Sequence, residues 1–237
     1  SEGQLAASVI SKKVAAGATH VLLDLPVGPT AKLRSSEDAE RLARRLRATG
    51  EAFGLQVQVL FTDGSQPVGR GIGPALEAHD VLAVLQNHPQ APVDLRERAL
   101  QLAGALLELA GRSPAGSGIV LARNTLLSGK AWAKFAAICE AQGGLRKPPR
   151  AAHKLEFTAP HEGIVAGIDN RRLARLAKLA GAPLSPAAGI ELMVRLGDRV
   201  LPAQPLFCLH AESPGELDYA AQYASKLSTL IHLETRL

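Results

Sequence analysis

The stretch from residue 19 to residue 64 constrains the fold more than any other part of this 237-residue chain. THVLLDLPVG, residues 19 to 28, is an apolar, β-rich run closed by proline and glycine, which suits a buried strand entering a loop. SSEDAERLARRLRATGEAFG follows as a helix, with Ser35 or Ser36 as its N-cap and acidic residues in its first turn to meet the helix dipole. LQVQVLFTDG then returns to strand alternation. Strand, helix and strand at this spacing make a βαβ unit, so two parallel strands joined by a right-handed crossover are expected.

A short apolar helix precedes that unit. In ASVISKKVAAG, residues 7 to 17, two lysines stand near the helix end and Gly17 suits a left-handed cap. Ser8 and Lys12, four apart, share a face and present a hydroxyl and an ammonium together. The spacing alone leaves two readings open, a solvated last turn or a grip on a polar ligand. After the second strand, TDGSQPVGRGIGPALEAHDVLAVLQ is a glycine-rich loop running into a helix. Its glycines read GxGxG rather than GxGxxG and no acidic ribose partner stands in place, which argues against a dinucleotide site. Two uses remain, a close approach to another backbone segment, which is the commoner, or carbonyl coordination of a hard cation.

Residues 92 to 113 read as a helix, with Leu95, Ala99, Leu102, Leu106 and Leu109 at helical spacing, and SPAGSG breaks it. Residues 120 to 142 read as one further helical stretch with Lys130 and Lys134 on its wet face. LRKPPRAAHK, residues 145 to 154, reads as a linker. Beyond it, LEFTAPHEGIVAGID and GIELMVRLGDRVLPAQPLFCLHA carry short strands around the amphipathic helix NRRLARLAKLAG, and ELDYAAQYASKLSTLIHL reads as a final helix and strand. The expected fold class is α/β: part of a parallel-sheet α/β domain, followed by a C-terminal α+β domain resembling a barrel sandwich.

Composition narrows the partners. A 46% hydrophobic and 21% charged chain is globular rather than disordered. Aromatics at 3% leave little platform for stacking single-stranded bases. The net charge of +5 is spread without a run of Lys and Arg, which leaves small anions as the favoured ligands rather than a nucleic acid polymer. Cys139 and Cys208 lie outside any CxxC spacing and read as free thiols. No run of 18 apolar residues and no signal-peptide pattern appears, so no membrane partner and a cytoplasmic location are expected. The chain opens SEGQLAAS and its only methionine is Met193, which suggests a fragment of a longer protein.

ASVISKKVAAGATHVLLDLPVGPTAK, TDGSQPVGRGIGPALE, LSGKAWAKFAAICEAQGG, APHEGIVAGID and LGDRVLPAQPLFCLHA occur in order along nearly the whole chain. Together they resemble the C-terminal half of the thymidine and pyrimidine-nucleoside phosphorylase family, in the branch that also contains AMP phosphorylases. The resemblance implies reversible phosphorolysis of a nucleoside, a pentosyl transfer, by an enzyme that is a homodimer when whole. It divides the chain into the last helix of a small helical domain (1–16), a partial α/β domain (17–147) and the C-terminal α+β domain (148–237). It implies that Ser8 and Lys12 bind the base, with Ala15 to Thr19 as the hinge between domains. It also implies a potassium ion on Val68, Gly71 and Asp80, although Asp80 is one methylene shorter than the family's glutamate. Pro26 stands where the thymidine branch has lysine.

The family's phosphate loop matches nothing in these residues, so no catalytic residue is assigned and the chain by itself is expected to be inactive. Two other functions stay open, an AMP-phosphorylase-like enzyme acting on nucleoside 5′-monophosphates and a non-catalytic scaffold domain.

Overall fold

A computed structural model of the chain describes residues 2–226 and 230–235. The expected tail therefore lies outside the described residues at 227–229, and so do residues 1, 236 and 237. The chain divides into two compact units, one running up to Gly64 and resuming over Arg96–Lys130, the other covering Ser65–Leu95 and the residues from Ala131 onward.

The first unit begins with α1 (Glu2–Ala15) and is built on the expected parallel pair, β1 (His20–Val27) and β2 (Gln56–Asp63), in a register running from His20 opposite Gln56 to Val27 opposite Asp63. The crossover is α2 (Ser36–Ala52). Ser35 caps it, its Oγ accepting the Asp38 N–H at 3.1 Å. Ala6 and Ile10 of α1 pack with Val21, Leu42, Leu46 and Leu55, each at most 5% exposed. A leucine or isoleucine buried in this way contributes about 1.5–3 kcal/mol, enough to pin α1 against the crossover.

The helix expected over 120–142 is two helices, and the sequence reading is corrected here. α5 (Gly118–Leu127) follows α4 (Val93–Leu109), and α6 (Lys130–Ala141) starts afresh after Ser128 and Gly129. Gly129 has φ of 75°, outside the helical region, and that conformation ends α5. Lys130 and Lys134 are exposed, as expected.

The second unit holds two antiparallel sheets. One runs in the order β3 (Gly71–Ile72), β6 (Gly189–Leu192), β8 (Pro205–Ala211), β4 (His153–Thr158); the other runs β7 (Arg199–Val200), β5 (Gly163–Ile168), β9 (Ile231–Glu234). α7 (Asn170–Leu179) and α8 (Pro214–Ser225) bury Leu173, Leu176 and Ala220 in the same core as Ile190 and Leu209. The fold thus combines parallel and antiparallel sheets with helices, as expected of the class.

The glycine-rich segment, read from sequence as a loop of the α/β part, instead sends β3 into the sheet of the second unit, with Gly71 opposite Glu191 and Ile72 opposite Ile190. A two-residue strand has no periodicity to read. Its glycines serve close packing: a Cβ on Gly71 would stand 2.4 Å from the Leu76 carbonyl carbon, and one on Gly73 would stand 2.4 Å from the Ala188 oxygen. Of the expected linker, His153 and Lys154 belong to β4.

Candidate functional site

α1 turns Leu5, Ala6, Val9 and Ile10 toward the core. Ser8 and Lys12, four residues apart, emerge together on an exposed flank of the helix. Neither side chain has a hydrogen-bond or ion-pair partner among the described residues. The helix ends in a Schellman motif: the Ala18 N–H reaches the Lys13 carbonyl at 3.0 Å, the Gly17 N–H reaches the Val14 carbonyl at 2.9 Å, and Gly17 has φ of 69°. Lys12 and Lys13 both lie in the last turn, where a cation opposes the helix dipole. Only the Ser8–Lys12 pair also offers a hydroxyl on the same face. The hydroxyl both donates and accepts, and the ammonium only donates.

A second polar cluster escaped sequence reasoning. Asp24 lies in the C-terminal half of β1, Thr62 near the end of β2, and Arg98 comes from α4. The Thr62 hydroxyl donates to Asp24 Oδ1 at 2.5 Å. Arg98 Nη1 donates to Thr62 Oγ1 at 2.8 Å and to Asp24 Oδ2 at 3.3 Å, while its Nη2 donates to the Asp63 carbonyl at 2.8 Å. The Asp24 and Arg98 side chains are only 25% and 16% exposed. Ligands of open parallel sheets bind outside the carboxyl ends of the strands, where this cluster lies. Every oxygen of Asp24 is already engaged, so the cluster braces that edge rather than offering a free acid. The signal in the sequence was one aspartate inside the apolar run VLLDLPV, a charge that a buried strand tolerates only when paired. Pro26, two residues on, stands opposite Thr62.

The three groups singled out for a cation, Val68, Gly71 and Asp80, lie on or beside the glycine-rich loop of the second unit. Asp80 Oδ2 accepts the N–H groups of Arg70 and Gly71 at 2.6 and 2.8 Å. On either side of Val68, the carbonyls of Pro67 and Gly69 accept from Arg195, Nη1 at 2.8 Å and Nη2 at 2.5 Å. Arg195 Nη2 also pairs with Asp94 at 3.0 Å, and Asp94 Oδ2 in turn accepts the Gly69 N–H at 3.1 Å. Potassium needs oxygens converging on one point. In this arrangement peptide N–H groups face Asp80, and the carbonyls flanking Val68 face a guanidinium. Among the described residues no cluster of three or more His, Cys, Asp or Glu could hold a metal.

Comparison with known proteins adds to this geometry. Residues 164–230 match the family described as "Pyrimidine nucleoside phosphorylase C-terminal domain", a span from β5 through α8 within the second unit. The chain is 63% identical over 223 residues to "Putative thymidine phosphorylase 1" of Acidovorax sp. (strain JS42), covering 94% of this chain and 44% of that protein. It is 58% identical over 233 residues to "Putative thymidine phosphorylase" of Chelativorans sp. (strain BNC1), covering 98% of this chain and 46% of that one. It is 58% identical over 234 residues to the protein of the same name from Hahella chejuensis (strain KCTC 2396), covering 99% and 46%. The chain thus spans a little under half the length of these relatives. No helix among the described residues is long and apolar enough to cross a membrane.

Proposed function

The chain belongs with the thymidine and pyrimidine-nucleoside phosphorylases, and from that premise we propose that it supplies the base-binding face of a thymidine phosphorylase, working in the reversible phosphorolysis of thymidine. In that reaction a phosphate oxygen forms a bond to the anomeric carbon while the bond from that carbon to the ring nitrogen breaks. The base leaves with the electron pair and is protonated, giving thymine and 2-deoxyribose 1-phosphate. Negative charge grows on the departing ring and spreads to its carbonyl oxygens.

Lys12 aims an ammonium at that charge, an interaction stronger in the transition state than in the ground state, and the Ser8 hydroxyl fixes the ring in its plane. The observation that carries this reading is that Ser8 and Lys12 are presented together on an exposed face of α1 with no partner among the described residues, while the helix packs through its apolar face. Ala15 to Thr19, just past the helix end, are small residues able to absorb a closing rotation. Phosphate contacts come from outside these residues, and the working enzyme is a cytoplasmic homodimer.

The test is a chimera joining this chain to the portion of the Acidovorax protein that lies outside the match, assayed for phosphate-dependent release of free base from thymidine, uridine, AMP and CMP. Thymine release that falls by roughly a hundredfold or more on Lys12→Ala is the expected result. Equal release with and without Lys12 would refute its role. Preferred release of adenine from AMP would replace thymidine with a nucleoside monophosphate as substrate. No base release by a folded, phosphate-supplied chimera would favour a scaffold.

A further inference from the structure

The sheet β3-β6-β8-β4 has a face that its core does not use. Register places Leu209 beside Leu155 and Ile190, and Phe207 beside Phe157 and Leu192, all on the apolar side. Side chains alternate, so the other side carries Lys154 beside His210, and Glu156 and Glu191 beside Cys208. Such a row is ordinarily washed by solvent. His210 and Cys208 are nevertheless each only 4% exposed.

Beside this face lies a cavity of about 550 Å³, lined by its Lys154, Glu191 and His210, by α3 (Pro74–Leu85) and by residues 147–151. The KPPR stretch read as a linker is one of its walls. That volume lies within the range of small-molecule sites. Two ring nitrogens at the cavity, His79 Nε2 and His210 Nε2, are buried and have no hydrogen-bond partner; the second stands 3.4 Å from Glu191 Oε2. A buried polar atom left unmatched is destabilising, and an arriving oxygen-bearing ligand would relieve that.

The charge in the lining is lopsided. Arg70, Lys147, Arg150 and Lys154 all border the cavity, and the last three make no ion pair among the described residues. Arg70 is pinned by one nitrogen, Nη2 to the Gln90 carbonyl at 2.8 Å, which leaves its other donors free to turn inward. Of the two carboxylates in the lining, Asp80 accepts the loop amides, while Glu191 Oε2 stands 3.4 Å from His210 Nε2. Four cations against two carboxylates leave the lining with an excess of positive charge, an arrangement that suits an anion held by forked and point donors.

We propose that this cavity is a binding site for a small phosphate monoester that also bears hydroxyl groups, of about the size of a pentose phosphate. Arg70, Lys147, Arg150 and Lys154 take the phosphoryl oxygens, and His79 and His210 take hydroxyls through their unmatched nitrogens. The site belongs wholly to the second unit and contains neither Ser8 nor Lys12, so it stands whether or not the phosphorolysis reading does. The lining offers no phenyl or indole ring for stacking a strand of bases, so the ligand is a small molecule.

Calorimetric titration of the chain with ribose 5-phosphate, ribose and inorganic phosphate, followed also through the imidazole resonances of His79 and His210, tests this. Ribose 5-phosphate is expected to bind saturably, about tenfold or more tighter than either of the others, and to move both imidazole signals. Lys154→Glu and Arg150→Glu, at exposed positions that leave the melting temperature unchanged, are each expected to weaken it about tenfold or more, and Lys12→Ala to leave it unaltered. Binding no tighter than ribose, binding that survives both charge reversals, or binding that leaves both imidazoles unmoved would overturn the proposal. Inorganic phosphate binding as tightly as ribose 5-phosphate would overturn the assignment of a sugar-bearing ligand.

Discussion

Replacing Arg195 tests how the glycine-rich loop is held. Its guanidinium makes two charge-assisted hydrogen bonds, to the carbonyls of Pro67 and Gly69, and pairs with Asp94. The side chain is 26% exposed and that of Asp94 is 38% exposed. Each hydrogen bond from a charged donor is worth about 1.5–3 kcal/mol before water replaces it at the loop. The partly exposed ion pair adds no more than about 0.5 kcal/mol after solvent screening. Allowing for rehydration of the carbonyls, Arg195→Met is expected to cost about 2–4 kcal/mol and to lower the melting temperature by roughly 6–15 °C. Arg195→Lys is expected to recover less than half of that loss, because one ammonium does not span two carbonyls and a carboxylate at once. Circular-dichroism melts give the stability, and hydrogen exchange at the Gly69 amide, which donates to Asp94, gives the local effect. The clamp would be refuted by an Arg195→Met chain within about 0.5 kcal/mol of the parent with the Gly69 amide equally protected. A lysine variant as stable as the parent would refute the argument from fork geometry.

Two glycines make a contrasting pair in urea denaturation. Gly71→Ala drives a Cβ to 2.4 Å from the Leu76 backbone and is expected to cost about 3 kcal/mol or more, whereas Gly17→Ala meets nothing within 4 Å and carries only the strain of its φ of 69°, about 1 kcal/mol; equal costs would contradict the packing reading. Glu191 is the residue to follow with pH. The His210 imidazole beside it, with Lys154 and Arg70 further off, holds its carboxyl below the usual glutamate range even though burial pushes it up. A carboxyl lowered in the folded state adds stability that is complete above the ordinary value and lost as pH falls through the lowered one, hence below about 4.3. His210→Gln is therefore expected to move the acid unfolding midpoint to higher pH, and an unmoved midpoint would remove His210 as the cause.

Local pattern was enough for much of this protein. The βαβ unit, a serine cap at position 35 or 36 and the shared face of Ser8 and Lys12 all follow from local pattern, which a single segment carries within itself. The break at Ser128 and Gly129 was missed because helical residues on both sides mask a left-handed glycine. Whether Ser8 and Lys12 were exposed or tied to neighbours could not be read from spacing either. That depended on which face of α1 the apolar residues of α2 and β1 would cover.

Long-range pairing decided the rest. Gly71 and Ile72 become a strand only because β6 offers them an open edge, and Arg195 answers the carbonyls of Pro67 and Gly69 only because β6 leads it there. His79 and His210 meet at one cavity with the KPPR stretch because antiparallel register sets Lys154 beside His210 and the chain before β4 borders that face. The sequence by itself determined the helices, the parallel strand pair and the kinship of the chain, since each rests on residues near one another in order. Tertiary structure alone decided which polar groups were matched and which were left over, because pairing energy depends on distance in space, and folding brings residues together whatever their separation along the chain.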